Sequence, residues 1–279
     1  MIIDFHTHIF PPDVRERREE YLKRDPAFAE MYANPKAKVA TAKELLASME
    51  YAGVNASVAL GFAWRDHELC VQHNDYLLES AAKSDGRIVA FCTANMAADE
   101  AAEEVGRCVK AGAKGLGELR PESQNWDLNG EAGARLAALA REQGLILLFH
   151  VTEVGGHEYG GKEGLSLGVF YRFAMEHTDL PLVGAHLAGG LPFAMPQTPR
   201  ASLSAYADTA ARRFLYSESA YRDLIDRWGP SRLLLGSDFP LVSQAAQIED
   251  VRTNLRRGSE RDLVLGGNAE RLLGLKKRA

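Results

Sequence analysis

The chain has 279 residues, 46% of them hydrophobic and 25% charged, with a formal net charge of −5. That balance is ordinary for a soluble globular protein and gives no general attraction to nucleic acid or anionic membrane. No run of about 18 apolar residues offers a membrane span, and the N-terminus lacks the basic and apolar segments of a signal peptide.

Short apolar runs alternate with helical patterns along the whole chain. Ile2 to Phe5 reads as a strand. The segment 11–38, rich in charge, Pro and Tyr, reads as an insertion after strand one that caps the mouth formed by the strand ends or makes a subunit contact, or else as a solvated surface loop with a short helix. Thr41 to Tyr51 reads as a helix, with Thr41 as N-cap, Glu44 at the capping-box position and Gly53 as a stop. Strands are expected at Asn55 to Phe62, Arg87 to Asn95, Ala113 to Leu119, Leu145 to Val151, Leu182 to Leu187, Phe214 to Ser217 and Leu233 to Phe239. Helices are expected at about Asp66 to Ser84, Asp99 to Ala111, Gly130 to Gln143, up to His177, Arg200 to Ala211 and Tyr221 to Trp228, with helical pattern to the end. Nearly all-apolar strands suggest burial on both faces, as in parallel sheets covered by helices. Eight such units fit a single (β/α)8 TIM-barrel domain over 1–279. A doubly wound open sheet loses ground because no GxGxxG follows the first strand. Cys70, Cys92 and Cys108 form no CxxC pair and read as reduced thiols of a cytoplasmic protein.

The strand ends carry polar residues: His6 and His8, Thr93 and Asn95, Glu118, His150, His186, Ser217 and Glu218, Ser237 and Asp238. In such a barrel these ends converge on one mouth, so residues distant in sequence meet. His6 and His8, spaced i, i+2, point the same way and can chelate one divalent metal. Asp4 shares that face and is expected to orient a histidine. A surface pair is the plainer reading of HxH alone. Given that chelate, His150 is the natural third nitrogen ligand. His186 is a fourth ligand or, preferably, a proton donor and substrate partner. Asp238 is a metal carboxylate, a base for bound water, or an N-cap of the next helix. Glu118 could bridge two metals, ligate one, bind substrate or pair with Arg120. Lys114, four residues earlier, sits too low along the strand to reach the mouth. His157 is a substrate contact or simply exposed, while His67, His73 and His177 fall in helical segments as surface or packing residues.

HTH after strand one, then His150, His186 and "GSDFP", in that order, resembles the amidohydrolase superfamily. Within it the chain is similar to the amidohydrolase-2 family, which includes the aminocarboxymuconate semialdehyde decarboxylase group and related hydrolases. The likeness runs from Met1 to about Leu275, where "LVLGGNAERLLGL" looks like that family's closing helix. It implies a divalent metal, usually zinc, bound by His6, His8, His150 and Asp238, with His186 near the substrate. Two features depart from the decarboxylases. "GEL" with Glu118 looks more like TatD-type deoxyribonucleases and other two-metal members. Strand seven, placed at "YSESA", lacks the expected "DTS"-like pattern. One ion is expected, or two if Glu118 bridges.

The first expectation is therefore a metal-dependent hydrolase of a small amide, lactone or ester. Asp238 takes the proton of a metal-activated water and His186 steadies charge on the carbonyl oxygen. Arg120 could hold a substrate carboxylate, and Trp64 and Trp126 could wall the substrate. The alternatives are non-oxidative decarboxylation of a small unsaturated or aromatic carboxylate at the same metal, and a metal- or ligand-binding protein without turnover. A small molecule is the expected partner, with nucleic acid and membrane not expected and a homo-oligomer compatible with the insertion.

Overall fold

A computed structural model of the chain describes residues 1–153, 160, 162, 164–195 and 204–275. Eight parallel strands follow one another in chain order: β1 (Ile3–His8), β2 (Ala56–Leu60), β3 (Ile88–Cys92), β4 (Gly115–Leu119), β5 (Ile146–Phe149), β6 (Leu182–Gly184), β7 (Tyr206–Asp208) and β8 (Leu233–Leu234). The end of β8 returns to β1: Phe5 N donates to Leu235 O at 2.7 Å, and Thr7 bridges to Phe239. The sheet thus curls into the expected (β/α)8 barrel, with helices in the crossovers. Ile3, Phe5, Val58, Leu60, Phe91 and Leu148 fill the barrel, and a second apolar layer joins the outer strand faces to the helices.

The helix from Ala42 to Ala52 starts as its sequence predicts. Thr41 and Glu44 form a reciprocal capping box, and Gly53 ends the helix at φ 69°. Segment 11–38 folds into three short helices, α1 (Pro12–Glu16), α2 (Arg18–Arg24) and α3 (Pro26–Tyr32). Phe28 and Tyr32 of α3 join Phe10, Phe62 and Trp64 in an aromatic cluster above the strand ends. The buried Asp25 carboxylate pins α3 to the barrel, accepting from Phe28 N at 3.0 Å and from Arg65 N at 2.8 Å.

Strand seven is not where the sequence pattern put it. Residues Phe214 and Leu215 belong to a short helix, Arg212–Leu215, and the strand is Tyr206–Asp208 inside the segment read as helix. The residues of that expected helix before Ser204 lie outside the described residues. Three residues give too little alternation to mark a strand. The acidic-then-Thr pattern expected of this strand is present after all, as Asp208-Thr209.

β1 also departs from simple alternation. Asp4 pairs with Ser57 but Thr7 with Ala59, so β1 carries one extra residue between them. The bulge turns His6 and His8 into the barrel while leaving Asp4 on the outer side. There Asp4 accepts from Ser237 N at 2.9 Å and Gln244 Nε2 at 2.9 Å, anchoring the end of β8 rather than an imidazole. β4 repeats the device between Leu116 and Leu119, and Glu118 sits within it. Lys114, at the opposite end of β4, is exposed.

Candidate metal centre

The bulges and strand ends bring six side chains to one point. His6 Nε2 and His8 Nε2 are 3.1 Å apart, and Asp238 Oδ1 lies 3.7 Å from the first and 3.4 Å from the second. On the other side His150 Nδ1 lies 3.2 Å from His186 Nε2. Glu118 stands between the two groups. Its Oε2 is 3.8 Å from His6 Nε2 and 3.6 Å from His8 Nε2, while its Oε1 is 3.1 Å from His150 Nδ1 and 3.6 Å from His186 Nε2. The six therefore form two trios, His6/His8/Asp238 and Glu118/His150/His186. His150 sits in the second trio with His186, rather than completing the first.

Two of these residues adopt left-handed backbone: His186 at φ 57° and Asp238 at φ 59°. Leu187 and Ala188 continue the left-handed run at φ 55° and 54°. Such conformations cost roughly 1 kcal/mol or more per non-glycine residue, so something must hold them. Asp208, fully buried at the end of β7, holds the first: its Oδ1 accepts from His186 N and Ala210 N, both at 3.0 Å. Its Oδ2 accepts from His6 Nδ1 at 2.8 Å. A proton committed to Nδ1 leaves the His6 Nε2 lone pair facing His8 and the carboxylates. For Asp238, its own N donates to His6 O at 2.9 Å and its carbonyl accepts from Leu241 N at 2.7 Å.

The electrostatics follow from this concentration of carboxylates in a buried place. Burial alone would lower the His6 and His186 values. Asp208 and Glu118 beside His6 raise it to about 9, and Glu118 and Glu153 beside His186 raise it to about 10. Burial likewise opposes the carboxylates' charge. The imidazoles around them win, holding Glu118 well below its usual range and Asp238 at about 2. His150 goes the other way: burial dominates and lowers it.

These donors fit a divalent cation. Donors about 2.1 Å from one ion lie about 3.0–3.5 Å from each other; His8 lies 3.1 Å from His6 and 3.4 Å from Asp238, within that spacing, and the remaining separations of 3.6–3.8 Å to Glu118 and from His6 to Asp238 exceed it by no more than 0.3 Å. The field that loads the imidazoles with protons is also the field that would hold a dication in place of those protons.

The centre floors a cavity of about 600 Å³. Arg120, two residues past Glu118 and only 1% exposed, lines it, with its Nη1 3.9 Å from Glu30 Oε2 of α3. The Arg120 pairing expected with Glu118 is thus replaced by one with Glu30. The aromatic lining comes from Phe62, Tyr32 and, at the exposed rim, Phe214. Trp64 is not among the lining residues: it stacks on Phe28 at 5.0 Å and donates to His73 Nδ1 at 3.0 Å. Trp126 donates to Gln124 Oε1 at 3.2 Å as part of the scaffold. His73 proves to be a buried packing residue, with Nε2 2.7 Å from Ile9 O. His157 lies outside the described residues. The sequence reading missed Asp208, Glu153 and Tyr32. Asp208-Thr209 was visible as a dipeptide. Glu153, with Oε1 4.0 Å from His186 Nε2, is marked only by its place three residues past His150, and Tyr32 gives no sequence signal.

A parallel barrel with histidines on β1 and just past β5 and β6, and an aspartate after β8, defines a class, and the family comparison agrees. The chain belongs to the amidohydrolase-2 family, whose model, described as amidohydrolase, matches residues 3–275. No curated protein sequence matches it. Among solved structures it is similar to 5-carboxyvanillate decarboxylase from Sphingomonas paucimobilis, at 17% identity and TM-score 0.77, covering 99% of each chain. It is also similar to 2,6-dihydroxybenzoate decarboxylase with 2,6-dihydroxybenzoate, at 16% identity and TM-score 0.76, covering 98% of this chain and 99% of the other. A third is dihydroxybenzoic acid decarboxylase from Polaromonas sp. JS666, with bound manganese and 2-nitroresorcinol. It is 16% identical with TM-score 0.74, covering 100% of this chain and 98% of the other. At these identities the likeness is one of fold.

Proposed function

We propose that this protein is a metal-dependent non-oxidative decarboxylase of a small aromatic carboxylate. The observation that carries the reading is the joint placement, on one cavity floor, of the six-residue donor cluster and the buried Arg120, beneath the Phe62 and Tyr32 wall. The decarboxylases named above support it over hydrolysis, which the sequence put first.

His6, His8, Asp238 and Glu118 Oε2 would hold one divalent ion. The mixed imidazole and carboxylate set suits zinc, the ion first expected, and manganese alike, and the Polaromonas structure makes manganese the first to load. When bound, the ion supplies positive charge that holds substrate oxygens and stabilises electron density left as carbon dioxide departs. Arg120 is placed to orient the carboxylate through its planar fork. Phe62 and Tyr32 flank the ring and exclude water. His186, whose Nε2 lies 3.6 Å from Glu118 and 4.0 Å from Glu153, is the proton donor: its Nε2 proton goes to the ring carbon that loses the carboxylate. Asp208 fixes the His186 backbone and the His6 tautomer.

The test uses the manganese-loaded protein with a panel of ring-hydroxylated benzoates in D2O. Release of carbon dioxide with one deuterium on the product ring supports the reading. Hydrolysis stays as the second reading because Glu118 spans both trios, as a bridge between two ions would. Incorporation of oxygen-18 from water into products of an ester, lactone or amide panel, with no carbon dioxide from the benzoates, would establish it instead.

A further inference from the structure

The cavity above the centre is larger than a single ring needs. Its volume of about 600 Å³ lies within the range of roughly 300–1,000 Å³ that takes drug-sized ligands, and a hydroxybenzoate is well below that size. Its solvent edge is apolar on one side. Phe214 of the short helix after β7 and Leu241, three residues past Asp238, both line the cavity, yet they are 51% and 53% exposed. The other large exposed apolar side chains among the described residues, Met1, Tyr51 and Met175, do not line it. Single apolar residues scattered over a surface are ordinary, whereas two on the rim of one cavity mark a contact surface.

Both rim residues sit on fixed backbone. Arg212, buried at the start of the short helix, donates from Nε to Asp250 Oδ2 at 3.1 Å, from Nη2 to Asp250 Oδ1, and from Nη1 to Ser217 O at 3.3 Å. The Tyr221 hydroxyl donates to the same Asp250 at 2.7 Å, and the Arg212 guanidinium carbon lies 5.1 Å from the Tyr221 ring centroid. Leu241 N donates to Asp238 O at 2.7 Å, which ties that side of the rim to the donor cluster itself. The insertion's share of the rim is polar: Asn34, Lys36 and Lys38, all exposed. The apolar surface is therefore narrow. Two half-exposed side chains fall far short of the roughly 800 Å² per partner that a stable protein interface buries, so a second copy of the chain would gain little here. A small apolar group attached to a ligand already held in the cavity fits the area.

We propose that Phe214 and Leu241 form a subsite for an apolar arm of the substrate, borne on the side of the ring away from the carboxylate. The substrate class is accordingly an aromatic acid with an alkyl or aryl substituent, larger than the single-ring acids named above. This rests on the reading of the cavity as a site for aromatic carboxylates.

The experiment is calorimetric titration of the manganese-loaded protein with 4-methylbenzoate and 4-pentylbenzoate as probes. A methylene half-covered by the rim should tighten binding about twofold, half the logarithmic gain of a fully buried one. Wild type is thus expected to prefer the pentyl probe about fifteenfold. In the double variant Phe214→Ser/Leu241→Ser that ratio should fall to about threefold or less. Both positions are exposed, and an unchanged thermal midpoint verifies the variant's fold. A wild-type ratio near one overturns the subsite without need of the variant, and so does a ratio that the variant preserves. Light scattering that shows a wild-type dimer, dissolved by the double variant, would assign the rim to a second copy and overturn the subsite as well. In each of these cases both probes still bind, and the aromatic-carboxylate reading stands. Failure of wild type to bind either probe overturns that reading and the proposal with it.

Discussion

His6 Nε2 and His8 Nε2 face each other at 3.1 Å because Asp208 commits the proton of His6 to Nδ1. On the proposed reading the ligands His6, His8, Asp238 and Glu118 and the proton donor His186 have separable jobs, and single substitutions tell them apart. His8→Ala should abolish tight metal binding, read by elemental analysis after dialysis. His186→Asn should retain about one equivalent of metal while turnover falls at least about a hundredfold, the usual weight of a positioned proton donor. If His186→Asn also lost the ion, His186 would be a ligand and not the acid. Asp208→Asn should weaken metal affinity about 10–100-fold, the typical cost of removing a carboxylate that orients a ligating imidazole. Competition with a chromogenic chelator measures it.

At the scale of elements, the insertion and the β2–α loop form a roof rather than a loose flap. His73, on the helix His67–Lys83, ties that roof to β1: its Nε2 donates to Ile9 O while its Nδ1 accepts from Phe62 N and Trp64 Nε1. Burial depresses its pKa from 6.5 to about 4. The unfolded chain therefore binds this proton more readily, so the contribution is complete above pH 6.5 and is lost as pH falls through about 4. Urea titrations of wild type should show stability falling across that window by up to about 3 kcal/mol from this group. His73→Gln should flatten that part of the slope and also lower stability at pH 7. The rim of the roof depends on Arg18, whose guanidinium donates to the carbonyls of Tyr32, Asn34 and Ala37. Arg18→Gln should release the segment carrying Lys36 and Lys38, seen as faster tryptic cleavage there at an unchanged cleavage rate elsewhere.

For the whole molecule, the centre gathers residues from β1, β4 and β7 and from just past the ends of β5, β6 and β8, so an ion there would tie nearly the full circumference together. Binding to the folded state alone stabilises by mass action, about 4 kcal/mol at a thousandfold excess over Kd. Removing metal with a chelator should accordingly lower the thermal midpoint by several degrees, and adding back manganese should restore it; an unchanged midpoint would count against a metal in this cluster. No helix among the described residues is long and apolar enough to cross a membrane.

The sequence by itself determined the barrel and most of the centre. Apolar strands alternating with helices have few other ways to bury both sheet faces, and ionisable residues at strand ends are too costly to bury without a purpose. His6, His8, Glu118, His150, His186 and Asp238 were all legible for that reason. Only the tertiary structure decided how they divide. The bulge in β1 turned Asp4 away from the imidazoles it was expected to orient, and register shifts leave no trace in a pattern of residue types. A three-residue β7 was too short to read, which hid Asp208 and the tautomer it sets. Trp64 gave way to Phe62 and Tyr32 as the wall because an insertion's packing is fixed by contacts across the fold, which no local periodicity records.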